Sequence, residues 1–216
     1  MNYSTKISVL FMFIIISSQI IVGQNEVSER EVIALLELKA KTKGHLWINQ
    51  WDETKPIATW HGVTIKDGKV VGLDLSNNNL KGRIPITIGN LRHLEILNLS
   101  DNHLKGRMPR LYRKFKNLKS IDLSNNAIVG TIPAAIYKLQ NLEELNLSNN
   151  KIDGEIPQRI AELSKLKTLN LASNSLVGRV SLIRSMKNIK ELNLTNNDFS
   201  NFDTKHEITI ANITVK

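Results

Sequence analysis

The chain has 216 residues, a formal charge of +9 and no Cys, with 28 Leu and 24 Asn. That length suits one ordinary domain with a real core, and the missing Cys excludes a disulfide scaffold, a thiol nucleophile and any Cys-ligated zinc. The Asn excess needs an explanation, because Asn is a poor former of both helices and strands.

Residues 1–24 carry one charge, Lys6, ahead of the apolar run Val9 to Ile16, then Ser17, Ser18 and the small residue Gly23. This is the layout of a secretory signal peptide with cleavage after Gly23. An uncleaved anchor is the alternative, although the apolar core is about half of the ~20 residues that span a bilayer. No later segment has membrane character, so the expected mature chain is exported, has no membrane span and, having lost Lys6, carries +8.

Residues 25–69 read as an amino-terminal cap. Ser28 stands at capping-box spacing from Glu31, and Val32, Leu35, Leu36 and Ala40 recur on one helical face until Gly44. The spacing predicts a helix that covers the open end of the rest of the chain. Trp47, Trp51 and Trp60 then supply large apolar groups to shield that end.

From residue 70 the chain repeats. Six coils occupy 70–93, 94–117, 118–141, 142–165, 166–188 and, partially, 189–199. Each has a strand core such as Leu97-Asn98-Leu99 or Leu145-Asn146-Leu147, whose alternation turns Leu inward and the polar residue outward. Three residues beyond the last strand Leu comes an Asn in every coil: Asn78, Asn102, Asn126, Asn150, Asn174 and Asn197. At a tight turn such a side chain satisfies backbone groups of its own and the neighbouring coil, so these form a structural ladder. Gly82, Gly106, Gly130, Gly154 and Gly178 allow a second turn, and four of the five Pro residues come after it at one fixed position. A short apolar segment, Ile136 with Leu139 or Ile160 with Leu163, closes each coil as a turn or two of helix. No coil can bury its Leu row alone, so stability must come from stacking.

These residues resemble the leucine-rich repeat family in its plant-type extracellular form, LxxLxLxxNxLxGxIPxxIxxLxx, which residues 70–165 match almost position for position. Coil five departs, with Ser181 in place of Pro and one residue deleted, and coil six loses the Gly-x-Ile-Pro half. The resemblance implies an α/β solenoid, a right-handed superhelix with a concave parallel sheet and a helical amino-terminal cap. The segment Trp60-His61-Gly62-Val63-Thr64 also looks like the cap of plant receptor ectodomains, where a Cys pair brackets the motif; Ala58 and Ile65 stand there in this chain. In that respect the cap is more similar to the Cys-free caps of secreted bacterial and other microbial members. At the far end, residues 200–216 hold two alternating runs, Glu207 to Ile210 and Ile213 to Val215, that read either as a sealing cap or as a frayed tail.

The default function of such a solenoid is binding on the concave sheet. Its outward positions are Asp74, Asn98, Asp122, Asn146, Asn170 and Asn193, flanked by Ser76, Ser100, Ser124, Ser148 and Thr195. These residues lack the aromatic and Arg anchors of strong interfaces, and the strip measures about 360 Å² against ~800 Å² per partner in a standard interface. A solvated structural face and a genuine binding face therefore both remain open. The basic residues are densest at Arg110, Arg113, Lys114, Lys116 and Lys119, from the end of coil two into coil three, which reads either as a site for an acidic polymer or as a solvated face around Leu111, Tyr112, Phe115 and Leu118. Export and the absence of a recognition motif argue against nucleic acid. His45, His61, His93, His103 and His206 show no metal spacing, and no catalytic or cofactor-binding motif appears, so an enzyme, a metal and a cofactor are not expected. Asn98, Asn146, Asn193 and Asn212 lie in glycosylation sequons, three of them by-products of the strand consensus. Together these features favour a secreted module that binds an extracellular protein or glycan. The alternative is a structural, surface-shaping repeat protein acting through its polar ladder, as in plant ice-binding proteins with similar repeats.

Overall fold

The computed structural model describes residues 27–109, 115–181 and 186–200 and the strand Ile213–Thr214. The leader with Gly23, the patch residues Arg110, Arg113 and Lys114, His206, the run Glu207 to Ile210 and Asn212 lie outside the described residues.

Helix α1 (Glu29–Lys41) opens the described fold. Its buried side chains are Glu31, Ala34, Leu35 and Leu38, an i, i+3, i+4, i+7 stripe, whereas Ala40 is exposed and Val32 and Leu36 are half-buried. The apolar face therefore sits one step round from the expected one, and an acidic residue is part of it. Glu31 does not close a capping box: its Oε2 accepts from the Ser28 hydroxyl at 2.7 Å, while its Oε1 accepts from the Val70 backbone N–H at 3.1 Å. The carboxylate thus ties the cap to the first coil. After the helix the three Trp close on each other, Trp47 edge-on to Trp51 at 4.9 Å and Trp51 stacked on Trp60 at 4.8 Å. Every indole N–H finds a carbonyl, of Thr42, His61 and Asp52 in turn. Packing by this cluster holds the cap together without any disulfide.

The hairpin β1 (Val63–Lys66) and β2 (Lys69–Asp74) then turns the chain into the repeats. Gly62 makes the junction possible: at φ +76° it lies so close to β2 that a Cβ there would stand 1.8 Å from the Asp74 carbonyl oxygen.

Each later coil gives one strand to each of two sheets. Coil one adds β3 (Lys81–Gly82), coil two β4 (Ile96–Asn98) and β5 (His103–Gly106), and coil three β6 (Ser120–Asp122) and β7 (Ala127–Thr131). Coil four supplies β8 (Glu144–Asn146) and β9 (Lys151–Glu155), coil five β10 (Thr168–Asn170) and β11 (Ser175–Gly178), and coil six β12 (Glu191–Asn193) and β13 (Asp198–Phe199). The long sheet runs β1-β2-β4-β6-β8-β10-β12-β14, where β14 (Ile213–Thr214) pairs parallel with β12. From β2 onward it is parallel, with equivalent residues opposed, as in Leu97 opposite Ile121. The second sheet, from β3 to β13, is also parallel, but its partners are 22 residues apart, as in Val129 opposite Lys151, or 21 across the shortened coil five, as in Val177 opposite Asp198. An offset of two residues keeps side chains on the same face, so both sheets point their Leu and Ile between the layers.

The expected helices at the coil ends are five-residue 3-10 segments, Ile86–Asn90, Ala134–Lys138 and Gln158–Glu162, each entered from Pro. Successive i to i+3 bonds, such as Leu139 N–H to Ile136 C=O and Leu142 N–H to Leu139 C=O, return the chain to the next strand within a few residues. Between the layers, Leu73, Leu75, Leu97, Leu99, Leu145 and Leu147 belong to one continuous core that includes the cap Trp residues.

The Asn ladder bonds one coil to the next. Asn102 Oδ1 accepts from Asn78 N–H (3.1 Å) and Leu80 N–H (2.8 Å), and its Nδ2 donates to the carbonyls of Leu75 (2.8 Å), Leu99 (3.1 Å) and Ser100 (2.8 Å). Asn126, Asn150, Asn174 and Asn197 repeat the pattern, each donating to a carbonyl of the preceding coil. Asn78 has no preceding repeat and pairs with Asn49 of the cap.

Candidate functional site

The outward face of the long sheet is built from columns 24 residues apart. In the central column, Asp74, Asn98, Asp122, Asn146 and Asn193 each turn Oδ1 back onto the chain, where it accepts the hydroxyl of Ser76, Ser100, Ser124, Ser148 and Thr195 at 2.6–2.9 Å. The same oxygens accept the backbone N–H groups of those residues, and Asn170 accepts that of Ala172. This turn ends every strand, and the next residue takes left-handed φ: Asn77, Asp101, Asn125, Asn149, Ser173 and Asn196. Asn and Asp tolerate that region best, which accounts for a further share of the Asn excess.

The arrangement corrects the expected face. Ser100, Ser124 and Ser148 are buried at 4–6 % exposure, their hydroxyls already committed, and cannot present themselves to a partner. Asp74 is exposed, and Asn98, Asp122, Asn146, Asn170, Asn193, Ser76 and Thr195 are half-buried. What the column offers outward is the second polar atom of each amide or carboxylate. Asn146 spends its Nδ2 on Asp122 Oδ2 at 3.0 Å.

Two flanking columns complete the face. Glu95, Lys119, Glu143 and Lys167 alternate in sign across adjacent strands: Lys119 Nζ lies 2.6 Å from Glu95 Oε2, and Lys167 bonds Glu143. The hydrogen bond from Lys119, then its charge, holds the Glu95 carboxyl below its ordinary value, and Lys167 does the same for Glu143. Reciprocally, Glu95 raises the Lys119 ammonium. Lys119 accordingly belongs to this paired column of the long sheet and not to a free basic patch. Of the other expected patch residues only Lys116 is described; it is exposed, beside the buried Phe115 and Leu118. The third column runs through Ile96, half exposed, then Ser120, whose hydroxyl bonds Glu144 at 3.1 Å, Thr168 and Glu191. Neither the column of alternating charge nor the left-handed positions stand out from local sequence pattern; residues spaced by 24 carry the signal for both.

Elsewhere a groove of about 610 Å³ runs along the flank between Glu155, Gln158, Arg179, Ser181 and Ser200, where Ser181 replaces the repeat proline. Among the described residues no group of three or more His, Asp or Glu is placed to hold a metal ion, and no helix is long and apolar enough to cross a membrane.

Two family models described as leucine rich repeat match the chain, one over residues 114–176 and the other over 69–91 and 93–115. Solved structures resemble it over most of its length. The BIR2 ectodomain from Arabidopsis thaliana is 26 % identical, with a TM-score of 0.72, 82 % of this chain covered and 97 % of that one. A plant ice-binding protein gives 27 % identity, a TM-score of 0.74 and coverage of 81 % and 58 %. The Arabidopsis receptor kinase HAESA, solved with the peptide hormone IDA and the co-receptor SERK1, gives 30 %, 0.71 and coverage of 80 % and 30 %. The chain therefore spans nearly all of one such ectodomain but under a third of HAESA, and 24 % of the chain matched in the PEPR1–AtPEP1 structure.

Proposed function

Starting from a chain that belongs to the leucine-rich repeat family, in its plant extracellular form, we propose that it is a secreted module that binds a protein, peptide or glycan outside the cell through the outward face of its long sheet. The leader 1–24 would direct export with cleavage after Gly23, and the module would act by binding and not by catalysis. One observation carries the reading: the long sheet presents an open face of aligned columns, a polar row, a paired charged row and the exposed Ile96, at the position where repeat solenoids engage partners. Likeness to an ectodomain of nearly the same length supports it. The test is binding of the labelled mature protein to surface and matrix fractions of its own host. Saturable binding that excess unlabelled protein displaces is expected; signal that stays linear with concentration overturns the reading.

The likeness to an ice-binding protein favours a second reading, a surface-shaping repeat acting through its regular polar column. Against it stands the inward commitment of each Oδ1 and of the Ser hydroxyls. Inhibition of ice recrystallisation by the wild type, abolished by substitutions in the Asn98 column, would establish the second reading; no inhibition removes it.

A further inference from the structure

A second surface, on the other sheet, carries a separate chemistry. In the second sheet each residue after the turn glycine lays its side chain across the glycine of the next coil. A Cβ at Gly106 would stand 3.0–3.1 Å from Cγ, Cδ and Nε of Arg83, and one at Gly130 would meet Arg107 in the same way. Arg83 therefore lies over Gly106, the glycine that follows Lys105 and precedes Arg107, while the Arg107 side chain reaches on across Gly130, so the two guanidinium groups follow one another across successive coils with Lys105 on the strand between them. Lys81 and His103 are paired directly across β3 and β5, and the end of α1 closes the cluster, because Lys81 N–H donates to the Thr42 carbonyl next to the exposed Lys41. Arg83, His103, Lys105 and Arg107 are exposed. Among the described residues none of these cations has a carboxylate within 4.0 Å, in contrast to the long sheet, where Lys119 and Lys167 are both paired.

We propose that this cluster around Gly106 binds a sulfated polysaccharide. Several observations select that class. Like charges gathered without counterions repel one another, and a bound polyanion relieves the repulsion. The grid is dense: adjacent strands are about 4.8 Å apart and alternate residues along a strand about 6.7 Å apart. One anion per sugar is too sparse for such a grid, whereas a sulfated chain carries closely spaced anions with the multiple acceptor oxygens that guanidinium forks engage. The cations stand exposed along neighbouring strands of a sheet, which suits an extended chain and not a small enclosed anion. The footprint is bounded, because Asp153 and Glu155 take the positions of Lys105 and Arg107 two coils later. A broad anionic membrane would press against those carboxylates, whereas a single polymer strand crossing coils one and two avoids them. The site is separate from the long-sheet face, so either assignment stands if the other fails.

The test compares dextran sulfate, carboxymethyl dextran and plain dextran by affinity electrophoresis and titration calorimetry at low salt. The intact protein should bind dextran sulfate at least tenfold more tightly than carboxymethyl dextran, and plain dextran not at all. The triple variant R83Q/K105Q/R107Q should lose at least tenfold, while K55Q/K165Q/K187Q, with the same loss of charge on exposed lysines off both faces, stays within twofold of wild type. Glutamine keeps methylenes over Gly106, and an unchanged melting curve shows that the fold is retained. Equal losses in both triple variants, equal affinity for the carboxylated polymer, or a wild type that self-associates through this face without binding dextran sulfate would each overturn the proposal.

Discussion

Replacing Asn102 by Ala should be among the most damaging single changes in the repeats. The residue is 5 % exposed and its side chain makes five hydrogen bonds, three of which join coil two to coil one. Truncation leaves the N–H groups of Asn78 and Leu80 without their acceptor, and each buried orphan costs about 1–3 kcal/mol. The three carbonyls lose a donor but keep a second lone pair and add less, so the total comes to about 3–5 kcal/mol. For a chain of this size each kcal/mol moves the melting temperature by about 2–4 °C, so N102A should melt roughly 6–20 °C lower. N102D keeps the acceptor but points a carboxylate oxygen at three carbonyls, and should do no better than Ala. The exposed Asn117, in the same coil, provides the contrast: N117A should change stability by less than about 0.5 kcal/mol. Urea denaturation followed by circular dichroism reads all three. A cost below about 1 kcal/mol for N102A, or equality with N117A, would refute the claim that the ladder holds the coils together.

The cap and the charged column give three further expected outcomes. G62A should destabilise by about 2–4 kcal/mol, because it combines left-handed strain with a clash against the Asp74 carbonyl and endangers the 2.8 Å bond from Asp74 N–H to Gly62 C=O. E31A should cost about 2 kcal/mol by freeing the Val70 N–H, with S28A costing less, since the serine bonds only the carboxylate edge. Thermal melts at neutral pH would rank the three variants. Glu95 and Glu143 have folded values below the ordinary 4.5, so their contribution is complete at neutral pH and is lost as acid carries the solution down from that value through the folded ones. Melting temperature should therefore fall on acidification in this window, and K119M should flatten the decline. An unchanged pH profile in K119M would count against the paired column.

The six coils are legible in the sequence because a strict period of 24 forces equivalent residues into register, and the Leu, Asn, Gly and Pro positions each have one conformational role. Less legible are features that depend on contacts between distant residues. Glu31 meets Val70 across 39 positions, and no local pattern marks a glutamate as part of a buried stripe. The second sheet hides in the stretch Asn-x-Leu-x-Gly-x-Ile, whose period-two alternation is visible at Leu104, Gly106 and Met108 once a strand is sought there. Strand alternation alone puts Ser100, Ser124 and Ser148 on the outward side; the turn at the strand end folds them under their own Asn or Asp. Consecutive basic residues draw attention to coil two, whereas the cluster on the second sheet joins Arg83 of coil one to Lys105 and Arg107 of coil two.

Binding through the long-sheet face is tested by a matched pair of substitutions at exposed isoleucines. Ile96 stands on that face at 50 % exposure, and Ile86 stands off it, on the 3-10 segment Ile86–Asn90, at 66 %. In the saturable binding assay on host surface fractions, I96R should weaken binding at least tenfold while I86R binds like the wild type. Equal binding by wild type and I96R, or a loss confined to I86R, would contradict the account.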